Sequence, residues 1–540
     1  MNGKLRQNPA RATIATRPAI EETADILQHE RPDGLTPREL MTPPKFSAED
    51  IRQIESRGMT EQAAARQVAM LGTPPPPMTL LRAATTGDGI LELTRDAQNK
   101  YEELGQIAAI EGRVSKFVPA SGAATRMFKD LIASVEDSSQ NPRFHEGARR
   151  FFESLDEFPF AAELRLRAGL PERTEGDDRQ ILRTLLHDMG YAARPKALIP
   201  FHRDGLTVRS AFEEQLIEAC AFAKAGDGSC RVHFTVAEDA VDDFRSELAR
   251  VRDRIGDCTP VVSFSIQHPS TDSLAIDDEG AVFRNSDGSI LFRPGGHGAL
   301  ILNLEKTGGD LLSIKNIDNI LPAPAQAESV KWKLILTGFL AQLQERVFAS
   351  LRTCESDQAS PTEVEEALSL AKNTFHRPPS ASVRSPDERR TFATEALNRP
   401  LRVCGVVRNE GEPGGAPFWT TGKAGATLQI VESSQVRLDL EAQRAIWTAS
   451  THFNPVDLVC GLRDWTGRPF PLSRFVDEEA VFVSHKTHQG RTLTALERPG
   501  LWNGAMAEWN TVCVEVPAST FAPVKTVLDL LRPQHQSGKM

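Results

Sequence analysis

One stretch of this chain has residue types and spacing suited to holding a phosphate: Arg113 to Leu131, RVSKFVPASGAATRMFKDL. Phe117-Val118 reads as a short apolar strand. Ala120 to Ala124 is a turn of tiny residues. A helix beginning near Thr125 carries Met127, Phe128 and Leu131 on one face. Strand, small-residue turn and helix N-terminus together make an anion site, because backbone N–H groups point outward and no large side chain blocks the approach. Ser121, Gly122, Ala123, Ala124 and Thr125 would form the cradle, and Arg126 sets a planar cation beside it. The pattern is neither GxxxxGK[ST] nor GxGxxG, and a helix packed tightly on a sheet reads the same way.

Two further segments have chemistry to offer. The loop Pro294 to Gly298, PGGHG, has glycines at 295, 296 and 298 that let a backbone approach a ligand, or simply turn. His297 taken alone reads first as a structural histidine. Asp318, in KNIDN, follows a buried strand, where a carboxylate can hold Mg²⁺ against phosphates or cap a turn. Lys129 is a competing phosphate ligand or a solvated helix lysine. Asp277-Asp278-Glu279, Asp477 and the HxxH of His485 to His488 read first as solvated groups, and no GxSxG elbow is present.

Stepping outward to the elements, residues 79 to 111 read as helical, and 141 to 191 as helical and charged. Strands are expected at 198–201, 231–236, 259–266 and 310–317. Helices with Phe212, Leu216, Ala219 and Phe222 on one face, and over 239–255, separate them. A hairpin is expected over 272–293, helix over 326–376 with a break at 354–362, and strands at 401–407, 427–431, 480–484 and 513–516. The last helix is expected at 524–531. Strands alternating with helices predict a doubly wound α/β sheet, with ligands outside the carboxyl ends of the strands. Residues 1–80 read as an arm, with a Ser47-capped helix to about Leu71 and a proline stop at 74–77; 81–460 as the main domain, with helical insertions at 131–190 and 326–395; and 461–540 as a C-terminal α+β part.

With 540 residues and a net charge of -10, the chain does not read as a nucleic-acid binder. No apolar run is long enough to span a membrane and no secretory h-region follows the N-terminal arginines, so a cytoplasmic location is expected. The seven cysteines are scattered and never in CxxC spacing, which predicts reduced thiols and no structural zinc. The sequence leaves open whether the protein is a monomer or a homo-oligomer.

In order along the chain, six short segments resemble the UTP–sugar-1-phosphate uridylyltransferases, the family of UDP-glucose and UDP-N-acetylhexosamine pyrophosphorylases. They are Ser121 to Met127; Pro195-Lys196 before ALIPF; PGGHGAL; Asn316-Ile317-Asp318-Asn319; Gln429 to Ser433; and Val516-Pro517 with Phe521 to Lys525 and Asp529-Leu530-Leu531. Within that superfamily the whole chain resembles a bacterial family of unknown function. Ser121 and Ala124 stand where the family has glycine, and Thr520 where it has arginine. The resemblance implies a nucleotide-diphospho-sugar transferase (GT-A-like) doubly wound mixed sheet with helical insertions. It further implies a Mg²⁺-dependent nucleotidyltransferase acting on UTP or another nucleoside triphosphate and a sugar-1-phosphate. It places Lys196 at the α-phosphate, Arg126 at the departing phosphates, Lys525 at the sugar phosphate and Asp318 on the metal. Gln267 with Gly295 and Gly296 would face the nucleotide, and His297, Gly298 and Glu432 the sugar or ribose. Two alternatives remain: a glycosyltransferase-like enzyme that consumes a nucleotide sugar, and a catalytically silent nucleotide-sugar binder.

Overall fold

Among the described residues, nine strands make the central sheet. In chain order they are β1 (Thr85–Thr86), β2 (Gly89–Leu91), β3 (Val114–Pro119), β4 (Ser229–Val236), β5 (Thr259–Ile266), β6 (Leu311–Lys315), β7 (Leu401–Arg408), β8 (His452–Gly461) and β9 (Asn510–Glu515). Across the sheet the order is β1-β2-β9-β7-β8-β6-β3-β4-β5. Every neighbouring pair is parallel except the two that β8 makes, so one antiparallel strand sits in the middle. The carboxyl ends of β3, β6, β7 and β9 and the start of β8 therefore share one edge. The computed structural model describes residues 45–136, 145–170, 177–356, 358–411, 414–422 and 425–536.

Alternate residues of the strands feed two cores, as a sheet covered on both faces requires. Val114, Val118, Val403 and Val407 face one cluster, which includes helices α1 (Arg95–Ile110), α2 (Ala211–Ala223) and α3 (Ala327–Glu355). Phe117, Leu312, Ile314, Cys404 and Val406 face the other, built on Leu300, Leu304, Met506 and Trp509. The doubly wound mixed α/β fold expected from the sequence is the fold found.

Helix α1 crosses α3 at two glycines. A Cβ on Gly105 would stand 2.1 Å from the Leu334 carbonyl oxygen, and one on Gly338 would stand 1.9 Å from that of Tyr101. Helix α2 starts at Ser210, whose hydroxyl accepts from the Glu213 N–H. It is buried nearly all round. Glu218 takes Lys116 of β3 at 2.7 Å and Lys315 of β6 at 2.5 Å. Lys333 of α3 pairs with Asp457 of β8. These buried ions tie three strands to two helices, an arrangement that tolerates no missing partner.

Several expectations are corrected here. Residues 80–91 are not helical; they supply the strand Leu80–Ala83 together with β1 and β2 before α1 begins. The Ser47 cap is present, with its reciprocal Asp50 bond, but the helix ends at Ser56. Gly58, at a left-handed φ of 72°, turns the chain into a second helix, Glu61–Gly72. Both helices pack on a small sheet of Ala275–Ile276, Arg491–Glu497 and Phe482–His488. The last helix is a short 3-10 turn, Val527–Leu531. Cys220 and Cys258 form a disulfide, where free thiols were expected. Residues 461–540 contribute β9 to the central sheet as well as the C-terminal segment. The first part of the arm, and pieces of the 131–190 insertion, lie outside the described residues.

Candidate functional site

After β3 the small-residue turn runs into a 3-10 turn, Ala124–Arg126, and the regular helix starts only at Lys129. The turn is stitched to the segment that leads towards α2 in an antiparallel bridge, Ala123 to Pro195. The Ala124 N–H donates to the Arg194 carbonyl at 2.9 Å, and the Lys196 N–H to the Gly122 carbonyl at 3.0 Å. One cradle N–H is thus already used by protein. The same two bonds fix where Lys196 begins.

From there the Lys196 ammonium reaches across to Asp318, just past the carboxyl end of β6. It donates to Asp318 Oδ2 at 3.0 Å and to the Val524 carbonyl at 2.7 Å. Lys525 donates to the same Oδ2 at 3.0 Å. The C-terminal segment is held there by backbone. Val524 N–H donates to the Asp318 carbonyl at 2.9 Å, and Ala522 N–H to Asn319 Oδ1 at 3.0 Å. Gln215 of α2 donates to the Asn316 and Ile317 carbonyls from below, at 3.0 and 3.2 Å.

Two ammonium groups on one carboxylate leave this group of three with one net positive charge. Burial alone would raise the Asp318 pKa. The charges of Lys196 and Lys525 outweigh it and hold the carboxyl below its ordinary value, so it is ionised at neutral pH. Lys196 is mostly buried, whereas the Lys525 side chain is 60% exposed. Lys525 is the cation a soluble ligand meets first. Both ammonium bonds fall on Oδ2, so Oδ1 is the oxygen a hard cation would use.

Two clefts flank the cluster. One, of about 240 Å³, is lined by Asp318, Asn319, Lys525, Glu432, Asn454 and Trp502 among others. The second, of about 480 Å³, is lined by Ser121, Ala123, Arg194, Pro195, Asp239 and Asp243 among others. Pro195 lines the second, and its neighbour Lys196 reaches the acid that lines the first.

The structure therefore brings Lys196, Asp318 and Lys525 into contact, with Glu432 in the same cleft, and ties Ser121 to Thr125 to them through backbone bonds. Arg126 is exposed on that turn. Other candidates stand apart. Gln267, beyond β5, lies 3.5 Å from Asp272. Gly295 and Gly298 are small because protein backbone fills their space. A Cβ would meet the Thr271 carbonyl oxygen at 2.3 Å or the Pro499 carbonyl oxygen at 2.1 Å. Gly296 turns at a φ of 67°. His297 stacks on Trp502 with ring centroids 4.3 Å apart and accepts from the Leu501 N–H. It backs a wall of the Glu432 cleft, and burial keeps it neutral by lowering its pKa. Asn454 and Trp502 in one cleft, and Asp239 and Asp243 in the other, had no motif to mark them. The one signal was Asn454-Pro455, an awkward pair inside an otherwise apolar strand.

Sheet and switch of strand direction define an α/β protein whose Lys196–Asp318–Lys525 cluster lies at the carboxyl ends of the parallel strands. The family model for a domain of unknown function, DUF4301, matches residues 47–536, and the chain belongs to that family. A search of curated proteins returned no match. Among solved structures the chain is similar to the uridine diphosphate N-acetylglucosamine pyrophosphorylase of Trypanosoma brucei in complex with an inhibitor, at 12% identity and a TM-score of 0.46, covering 90% of this chain and 82% of that one. A putative UDP-N-acetylglucosamine pyrophosphorylase of Entamoeba histolytica gives 11% identity, a TM-score of 0.43 and 84% of each chain. The UDP-glucose pyrophosphorylase of Leishmania major gives 14%, 0.43, and 90% and 79%. Among the described residues no helix is long and apolar enough to cross a membrane.

Proposed function

We propose that the protein is a nucleotidyltransferase that joins a nucleoside triphosphate, UTP first among them, to a sugar-1-phosphate, releasing pyrophosphate. The observation that carries this reading is the meeting of Lys196, Asp318 and Lys525 from distant parts of the chain. In that reaction a sugar-phosphate oxygen attacks the α-phosphorus of the triphosphate and pyrophosphate leaves from the opposite side. Both reactants are anions, so the protein's task is to align them and neutralise charge. In this reading Lys196, anchored on Asp318 and the Val524 carbonyl, takes the α-phosphate. Lys525, more exposed, takes the incoming sugar phosphate. Arg126 and the cradle take the departing phosphates.

The residues fit Mg²⁺ in the way that ion is usually held, by one carboxylate with substrate phosphates and water. Asp318 Oδ1 would hold it. The ion would supply charge neutralisation on the phosphates; the two ammonium groups disfavour it at this edge until a polyanion is bound. Glu432, Asn454 and the Trp502 ring offer the polar and flat surfaces a sugar needs. The use of the Ala124 N–H by Arg194 narrows the cradle and supports, as second reading, a protein that binds a nucleotide sugar without turning it over.

The test is pyrophosphate release with Mg²⁺, each of four nucleoside triphosphates and a panel of sugar-1-phosphates. Release that requires both UTP and one sugar phosphate is the expected result. Silence across the panel, with UDP-sugars still raising the melting temperature, supports the binder instead.

A further inference from the structure

Away from the Lys196–Asp318–Lys525 cluster, three of the seven cysteines converge. Cys220 is near the end of α2, Cys230 is the second residue of β4, and Cys258 directly precedes β5. Their sulfur atoms all lie within 4.8 Å of one another. Cys220 and Cys258 are joined as a disulfide, with Cα atoms 5.9 Å apart, and Cys230 is the free third. From this geometry we propose a binding site for a soft d¹⁰ cation, Zn²⁺ or Cu⁺, held by the three thiolates and open only when the disulfide is reduced.

Three sulfurs around one ion at about 2.3 Å each stand roughly 4 Å apart; here the Cys230 sulfur lies within 4.8 Å of both bonded sulfurs, so breaking the Cys220–Cys258 bond and a small separation of that pair brings all three to this spacing. Soft thiolates select this class of ion over Mg²⁺ or Ca²⁺. Two of the ligands are positioned by parallel pairing, Cys230 lying opposite Pro260 in the β4–β5 register with Cys258 two residues before it, and Cys220 comes from α2. Cys220 and Cys258 keep 9% and 8% of their surface, which gives an ion a way in. Burial pushes the Cys230 thiol up to about 12, with Lys116 and Arg231 offsetting part of that rise, so the proton leaves Cys230 only as the metal–sulfur bond forms. A second group of cysteines sharpens the contrast. Cys404 and Cys513 lie opposite each other in the β7–β9 register, fully buried in the sheet, and Cys460 is on β8, yet these three do not form such a mutual set.

The chemistry balances. An external dithiol reduces the Cys220–Cys258 bond and is itself oxidised to a disulfide. The three thiols then release three protons as three metal–sulfur bonds form. With the disulfide closed, two of the three ligands are withdrawn, so redox state gates the site. An ion there would also pin α2 to β4 and β5.

The experiment uses the full chain, reduced with a dithiol, freed of it without oxygen, and given Zn²⁺ or Cu⁺ alone against a competing chelator. We expect one of the two ions retained at one per chain, with sulfur-to-metal charge-transfer absorption for Cu⁺. Retention should weaken on the order of tenfold or more in Cys230→Ser, persist in Cys354→Ser, and vanish in the oxidised chain. Should Cys230→Ser not fold, Cys258→Ser gives the same comparison. No ion held by the reduced chain, or equal retention in the ligand variants and wild type, overturns the proposal. The readout is metal content, so it stands or falls separately from nucleotidyl transfer.

Discussion

A single oxygen, Asp318 Oδ2, joins cations from residues 196 and 525. Its two partners do not contribute equally. Lys196 is mostly buried and also donates to the Val524 carbonyl; Lys525 is largely exposed, so its pairing adds little stability. Under the proposed reaction Lys196→Ala and Asp318→Asn should each lower turnover on the order of 10² or more, because preorganised charge facing the transition state is lost. Lys525→Ala should act mainly on KM for the sugar phosphate and leave the unfolding midpoint unchanged. Steady-state kinetics beside thermal unfolding checks all three, and wild-type rates in Lys196→Ala would remove it from the site. Gly122 gives a finer probe. A Cβ there meets nothing within 4 Å and its φ is ordinary, so Gly122→Ala should leave stability intact. If the turn holds phosphate, the same change should weaken nucleotide binding, read by calorimetry. Much of this was legible in sequence: the small-residue turn, Lys196, Asp318 and Lys525 each stood in a recognisable segment. The glycines at 295 and 298 misled because a glycine that admits protein backbone and one that admits a ligand are written with the same letter.

At the level of elements, the α1–α3 crossing depends on the absence of two side chains. Backbone oxygens occupy the space a Cβ would need at Gly105 and Gly338. Gly338→Ala should destabilise by about 1–3 kcal/mol through overpacking, in spite of alanine's better helix propensity. Chemical denaturation gives the number, and a stabilised variant would mean the helices can part at no cost. The strands that escaped sequence reading have definite reasons. In β8, Asn454, Pro455 and Asp457 interrupt the apolar pattern; Val456 adopts a left-handed φ of 60°, and the register with β7 shifts nearby. Its Asp457 is acceptable in the sheet only because Lys333 of α3 meets it. Lys116 in β3 hid the true length of that strand in the same way, since its partner Glu218 lies on α2. The strands that were read well, β4 and β5, carry their charge or hydroxyls on one alternating face. For the cysteine cluster no spacing rule could apply, because the β4–β5 pairing and the packing of α2, not sequence separation, bring the sulfurs together.

Over the whole molecule, the C-terminal segment that carries Lys525 is tied back to distant elements at several points. Val527 N–H donates to the Met127 carbonyl at 3.0 Å, at the helix beyond the cradle, and His535 Nδ1 lies 2.9 Å from His202 Nε2. His202 Nδ1 in turn is 3.1 Å from Glu214 Oε1 on α2. All three groups are buried. Burial lowers both histidines to about 3, with Arg209 adding to it at His202 and His202 itself at His535. Burial raises Glu214 to about 8 against the pull of Arg209, with Asp204 and Glu218 adding to the rise. Asp529 and Arg532, on the segment itself, act on His535 in opposite directions. The signs then follow. Between about 3 and the ordinary histidine value of about 6.5, the unfolded chain binds more protons than the folded one, so the histidines make stability rise with pH. Glu214 works the other way: its stabilisation is complete below the ordinary carboxyl value and is lost as pH rises towards about 8. Two groups lift the curve on the acid side and one lowers it on the alkaline side, so this cluster's own contribution is greatest near pH 6.5. Unfolding free energies of wild type and variants, measured from pH 5 to 8.5, isolate that contribution by difference. His535→Gln should make the acid limb shallower, and Glu214→Gln should flatten the alkaline one. Below pH 6 the segment should loosen first, read as faster amide exchange at residues 522–535 than in β3. An acid limb unchanged by His535→Gln would mean that the histidine pair does not hold the segment, and that its backbone bonds to Asp318 and Met127 suffice.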